Sequence, residues 1–203
     1  MTVSVRTAAQ RTGEFFMGES HVEKAVISIC ERLKEMKIPY ALAGGMAVNR
    51  YEVQRNTEVV DIIIDRAGLQ RFKDEWLGRG WVENYKGSKG LRDALNKVKI
   101  DFLFTDEIPG DGKSVPFKFP DPIEASETDE DGISVLTLPR LIELKIASGM
   151  TVPKRPRDFD DAMRLIEANK LTRDYGSKLH PFVRAKYDEL WLIAQTPDPN
   201  PEA

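Results

Sequence analysis

Apolar residues recur every three to four positions at Val22, Ala25, Val26, Ile29, Cys30, Leu33 and Met36. That period predicts an amphipathic helix, with Ser20 as its N-cap and Glu23 completing a capping box. Pro39 closes the helix, and the apolar run Tyr40–Ala43 reads as a short buried strand. Gly44-Gly45 makes a turn, and Met46–Tyr51 forms a short helix. Val59–Asp65, rich in β-branched residues, predicts the next strand. A helix follows over Leu69–Leu77, stopped by Gly78 and Gly80. Trp81–Tyr85 and Val98–Phe104 read as strands, with Gly87-Ser88-Lys89-Gly90 as turn material between them. Residues 106–123 hold four prolines and two glycines, which predicts a long ordered loop of the kind that carries function. Ile133–Leu136 adds another strand, and residues 139–149, 156–169 and 179–195 read as helices.

This order predicts an α+β protein: a mixed sheet flanked by helices over residues 19–138, then a helical lobe over 139–196. Residues 1–18 show no clear period and are expected to form a flexible arm, and 197–203 a disordered tail. With 203 residues, 41% of them apolar and 31% charged, the chain is long enough to bury its own core. The net charge of −3 supplies no global field for nucleic acid or membrane, so a polyanion would have to meet a local patch. Lys154, Arg155 and Arg157 form the one basic cluster, which reads more readily as solvated surface than as a guide for RNA or triphosphate. Cys30 is the sole cysteine and sits in an apolar helical stretch, which excludes an internal disulfide and suits a buried thiol. No apolar run spans a membrane and no apolar signal core opens the chain, so the expected compartment is the cytoplasm.

The chemistry concentrates in two strands. Side chains alternate across a strand, so Val59, Asp61, Ile63 and Asp65 share a face. Asp61 is a charge in an apolar run, and a buried carboxylate needs a cation or strong donors. Asp101 repeats that intrusion within Val98–Phe104. Two aspartates on adjacent strands opposite a Gly-Gly turn can hold Mg²⁺, a hard ion that takes oxygen ligands. Each taken alone also suits a strand end or a solvent-facing position. Asp65, before Arg66-Ala67-Gly68, reads as a cap. Gly44 and Gly45 would let backbone N–H groups approach a phosphate, although a tight strand-to-helix turn asks for glycine anyway.

Taken in order, Gly44-Gly45, Arg55-Asn56-Thr57, Val59-Val60-Asp61 and Asp101 resemble the minimal nucleotidyltransferase family. The resemblance is to bacterial proteins related to the AbiEii-type toxins of abortive-infection toxin–antitoxin systems in particular. A later motif, a helix Lys followed by Arg-x-x-Asp and another Asp a turn on, is matched by Leu141–Gly149 with Lys145, then Arg155–Asp161. The similarity runs from about residue 38 to 170. It implies transfer of a nucleoside monophosphate from a triphosphate to a hydroxyl on a protein, RNA or small molecule, with a cognate antitoxin as partner and no membrane. It implies that Gly44, Gly45, Arg55, Thr57, Arg157 and Asp158 bind nucleotide. Asp61 and Asp101 would bind Mg²⁺, with Mn²⁺ as the alternative, and Asp61, Asp101 and Lys145 would carry catalysis. Lys145 would meet a triphosphate oxygen as a point charge.

Arg157, Asp158 and Asp161 would also suit the N-terminus of the following helix, and Lys145 a solvated flank. The departure from the pattern is Val59, where the family carries the first carboxylate of its metal pair; Glu58 points to the opposite face. Three readings follow: a degenerate transferase that still binds nucleotide, an inactivated variant, or a one-metal enzyme working slowly. The last is an enzyme; the other two leave a nucleotide-binding or protein-interaction module.

Overall fold

The computed structural model describes residues 4, 21–110, 115–152 and 154–196. Apart from Ser4, which is buried, the expected arm, the Ser20 cap and the tail lie outside the described residues. Helix α1 (His21–Glu35) buries Ala25, Val26, Ile29, Cys30 and Leu33, the stripe its period foretells. Strand β1 (Tyr40–Ala43) is buried throughout and runs into helix α2 (Gly44–Arg50). Then come β2 (Val59–Ile64), α3 (Arg66–Trp76), β3 (Trp81–Glu83), β4 (Leu91–Asp93) and β5 (Lys99–Phe104). A short helix α4 (Pro122–Ala125) leads to β6 (Ser126–Thr128) and β7 (Ser134–Leu136). Helices α5 (Leu138–Thr151) and α6 (Pro156–Ala168), a 3₁₀ turn (Arg173–Lys178) and α7 (Pro181–Ala194) complete the chain.

The strands form one mixed seven-stranded sheet in the order β3-β4-β5-β2-β1-β7-β6. Strand β2 is central, antiparallel to β1 and parallel to β5. A central strand covered on both faces reads as continuous apolar sequence, and Val60, Ile62, Ile63 and Ile64 are accordingly buried. Asp61 breaks that run, which is why its surroundings matter. Asp65 ends the strand and caps α3 by accepting a hydrogen bond from the Gly68 N–H.

Two strands escape the periodicity. In β4 the sequence is Leu-Arg-Asp, with Asp93 buried because its carboxylate accepts from the N–H groups of Leu95 and Asn96. In β6 it is Ser-Glu-Thr, a polar edge strand held by β7. Neither offers an apolar repeat to detect. The strand expected over Trp81–Tyr85 stops at Glu83, whose carboxylate turns back to accept from Lys73 and from the Gly87 N–H. The helix expected over 179–195 is shorter, because Pro181 opens α7 and the His180 side chain caps it by accepting from the Phe182 N–H.

Helices α5, α6 and α7 pack on one another. Gly149 of α5 has no side chain because the Phe159 ring of α6 lies against it; a Cβ there would come within 2.7 Å of the ring. Glu143, buried in α5, accepts from the His180 N–H at 2.6 Å, and Trp191 Nε1 donates to the Leu171 carbonyl at 2.8 Å. Trp81 is buried edge-on to Phe72, and Trp76 lies under the Arg32 guanidinium, so all three tryptophans serve packing. Burial pushes the Cys30 thiol up to about 12, that of an inert interior cysteine. Among the described residues no helix is long and apolar enough to cross a membrane.

Candidate functional site

Strands β2 and β5 pair in parallel with Asp61 opposite Asp101 and Val59 opposite Lys99. Partners in register point to the same face, so the two carboxylates sit side by side on one surface of the sheet. Asp61 is partly buried there. Its carboxyl is pushed up to about 6, chiefly by burial and further by the charge of Asp101; Lys145, Arg55 and Arg155 oppose the shift.

The Gly-Gly turn is shaped by what lies over it. Gly44 has φ +56, and a Cβ on it would fall 1.8 Å from Asp61 Oδ2. A Cβ on Gly45 would lie 2.7 Å from Arg55 Nη1 and 2.9 Å from Thr57. The missing side chains thus make room for Asp61, Arg55 and Thr57. Asn49 of α2 fixes the loop that carries them: its side chain accepts from the Arg55 N–H and donates to the Arg55 carbonyl, both at 2.9 Å. Thr57 Oγ1 donates to the Val59 carbonyl at 2.9 Å, locking the entry to β2.

Across the cleft stands an ionic cluster on α5 and α6. Lys145 Nζ donates to Asp158 Oδ1 at 2.9 Å and lies 2.5 Å from Asp161 Oδ2, the latter a charge contact without hydrogen-bond geometry. Asp161 Oδ1 meets Arg55 Nε at 3.1 Å. The Lys145 and Asp161 side chains are 9% and 3% exposed, so this cluster ties the loop before β2 to the helices behind it. Asp158 and Asp161 are three apart on one face of α6, which lets both reach the same ammonium. Asp158 does lie in the first turn of α6, but it is buried with Asp161 against Lys145, so the reading of Lys145 as a solvated flank of α5 is corrected; Arg157 is exposed.

Between the sheet and the helices opens a cleft of about 750 Å³, within the range of small-molecule sites. Gly44, Arg55, Asp61, Asp101, Lys145, Arg157 and Asp158 all line it, and so does Val59. Thr57 does not line it, its hydroxyl being used within the loop. The described parts of the Pro-rich stretch after β5 supply one wall through Ile108, Pro109 and Phe119, the Phe119 N–H donating to the Glu107 carbonyl at 2.9 Å. The basic cluster is part of the rim: Lys154, Arg155 and Arg157 all face the cleft.

As a metal site the donor set is lean. Among the described residues no group of three or more His, Cys, Asp or Glu could hold an ion. Asp61 and Asp101 together fit Mg²⁺ in its usual protein setting, one or two carboxylates completed by substrate phosphates and water. Val59 adds no oxygen.

Sequence reasoning left Asp161, Arg155 and Lys99 out of the site. Asp161 was signalled by its spacing from Asp158 within an otherwise apolar helix face, and Lys99 by its place two residues before Asp101. Arg155 was signalled by its Arg-x-x-Asp spacing to Asp158.

No protein-family model matches this chain, and no curated protein matches it in sequence. Among solved structures the chain is similar to the antibiotic-resistance factor ANT(2'')-Ia, with a TM-score of 0.56 at 11% identity. The match covers 84% of this chain and 96% of that one. At that identity the likeness concerns the fold: the mixed sheet with its flanking helices is nucleotidyltransferase-like.

Proposed function

We propose that this chain binds a nucleoside triphosphate in the cleft and transfers its nucleoside monophosphate to a hydroxyl acceptor, releasing pyrophosphate. The observation that carries the reading is the in-register pair Asp61 and Asp101 facing Arg55, Lys145 and Arg157 across one cleft. Paired carboxylates opposite cations suit a substrate that brings phosphates and a counter-ion together. Asp61 and Asp101 would hold Mg²⁺ or Mn²⁺, which when bound neutralises charge on the phosphates.

The acceptor oxygen attacks the α-phosphorus, the bond to the pyrophosphate oxygen breaks, and Asp101 takes the hydroxyl proton. Gly44 exposes backbone to the phosphates, Gly45 is buried behind it and shapes the turn, and Arg55 and Arg157 supply positive charge. Lys145 contributes charge from its buried place, and Asp158 holds it there. Thr57 acts by fixing the loop. The motif series supports kinship with AbiEii-type toxins and a cognate antitoxin, and the absence of a membrane-spanning helix among the described residues is compatible with a cytoplasmic setting. Growth arrest on expression, relieved by a neighbouring gene, is the outcome expected of a toxin.

Val59, which lines the cleft without a metal-binding atom, favours a second reading: a module that binds nucleotide without turning it over. One experiment separates the two. The chain and its Val59→Asp form are incubated with [α-³²P]NTP and Mg²⁺ in lysate, with nucleotide binding followed in parallel by calorimetry. Labelled acceptor with the chain as it stands supports transfer. Binding without label, and no gain from Val59→Asp, supports the module. No binding of any NTP by either form overturns both.

A further inference from the structure

Among the described residues, Lys99 is the cation in direct contact with a carboxylate of the strand pair: its Nζ lies 2.7 Å from Asp101 Oδ2. Lys99 is also in register with Val59. The two therefore occupy neighbouring places on the face that carries Asp61 and Asp101. Where β2 offers no oxygen, β5 offers an ammonium.

That juxtaposition changes the charge balance of the face. Two carboxylates side by side repel and favour a divalent ion between them. An ammonium hydrogen-bonded to Asp101 answers part of that demand from within the chain. It also repels a dication arriving at the same carboxylate, because like charges a few ångström apart oppose each other even through water. Asp101 Oδ1 lies on the Gly90 side, where a Cβ on Gly90 would come within 3.1 Å of it.

We propose that Lys99 acts as a resident second cation, neutralising Asp101 from the Val59 side and limiting the carboxylate pair to one divalent ion. The inference rests on the reading of the cleft as a nucleotide site. Lys99 is thus a positioning and metal-selecting residue rather than one that touches the reacting atoms.

The test is Mn²⁺ titration followed by electron paramagnetic resonance on the full chain, with and without a non-hydrolysable NTP analogue. Lys99→Met is expected to tighten Mn²⁺ binding roughly tenfold, the size of one relieved charge repulsion. Lys99→Arg, which keeps the charge, is expected to match the parent. Val59→Asp is expected to bind one ion with Lys99 in place, and two only when combined with Lys99→Met. Unchanged affinity in Lys99→Met, a Lys99→Arg form that behaves like Lys99→Met, or two ions in Val59→Asp alone overturns the proposal. So does an absence of Mn²⁺ binding in every form. Should Lys99→Met fail to fold, Lys99→Gln replaces it. A Lys99 effect on Mn²⁺ without any binding of the analogue would leave this inference standing and remove the nucleotide reading.

Discussion

The strand pair and the helix junction each place charge in a poorly solvated setting, and they resolve it differently. At the junction of α5 and α6, Lys145 meets Asp158 and Asp161, and Asp161 meets Arg55. Opposite charges are in contact there, within the chain. On the strands Asp61 faces Asp101, and its carboxyl is pushed up to about 6 because burial and a like charge outweigh more distant cations. One region has its charges matched, although Asp158 Oδ2 and Asp161 Oδ2 are buried without a hydrogen bond, and the other is short of positive charge. The shortfall marks where a ligand cation or phosphate-bound ion is wanted, while the matched charge marks architecture. Lys145 belongs to both, since its charge also acts on Asp61. Any phosphate that recruits Lys145 has to compete with two carboxylates already in place.

The sharpest way to break this comparison is to empty the junction. Lys145→Met leaves buried Asp158 without its cation and Asp161 with Arg55 alone, and removing one partner of a buried ion pair costs about 3–5 kcal/mol. Urea unfolding of the parent and the variant measures it. A loss under about 1 kcal/mol would mean that the junction is not a structural tie and that Lys145 is free for ligand.

Next in size is the turn. Gly44→Ala puts a Cβ where Asp61 Oδ2 now lies, at a residue with φ +56. The left-handed backbone alone costs about 1–2 kcal/mol for a residue with a Cβ, and displacing the carboxylate brings the expected loss to about 3 kcal/mol. The cost should fall in an Asp61→Ala background, because the clash is with that side chain. A double-mutant cycle with no coupling would show that Asp61 does not rest on the turn.

These two sites also show how far the sequence could be read. The turn, both strands and both carboxylates follow from local pattern: a Gly-Gly pair after an apolar run, and single aspartates inside β-branched stretches. Register is what pattern could not supply. That Asp61 lies opposite Asp101, and Val59 opposite Lys99, depends on how two strands 40 residues apart align. The Gly-Gly pair reads as a phosphate turn in sequence, yet the space its glycines free is taken by Asp61, Arg55 and Thr57. Lys145 resembles a solvated flank among Leu141, Leu144 and Ile146 until α6 folds back to bring Asp158 and Asp161 against it. The short strands β4 and β6 were invisible because sheet pairing, not apolar content, holds them.

The strand side is sharpened by pH. The ordinary aspartate value is 3.8, and the folded value of Asp61 is about 6, so the fold favours the protonated form. Its contribution to stability is full below pH 4 and is lost as pH rises through 6. The shift corresponds to about 3 kcal/mol at most, and about 2 kcal/mol after allowing for the partial exposure of the site. Asp61→Asn should therefore be more stable than the parent at pH 7–8 by about 2 kcal/mol, with the gap closing towards pH 4. A gap that stays constant across that range, in unfolding curves taken at each pH, would remove the electrostatic shortfall from the strands.

The smallest expected effect is at Lys99. Its pair with Asp101 is 2.7 Å long, but the two side chains are 45% and 35% exposed, so water already screens it. Lys99→Met should change stability by less than about 1 kcal/mol. A small change is the informative result, because it separates two reasons for keeping the ammonium there. If the pair were architecture like Lys145 with its acids, removal would unfold the protein measurably. If the ammonium instead stands beside Val59 to balance a ligand site, the fold should scarcely register its loss while the affinity of the strand pair for a divalent ion rises. A destabilisation of several kcal/mol in the same urea titration would place Lys99 with the junction and erase the contrast between the two regions.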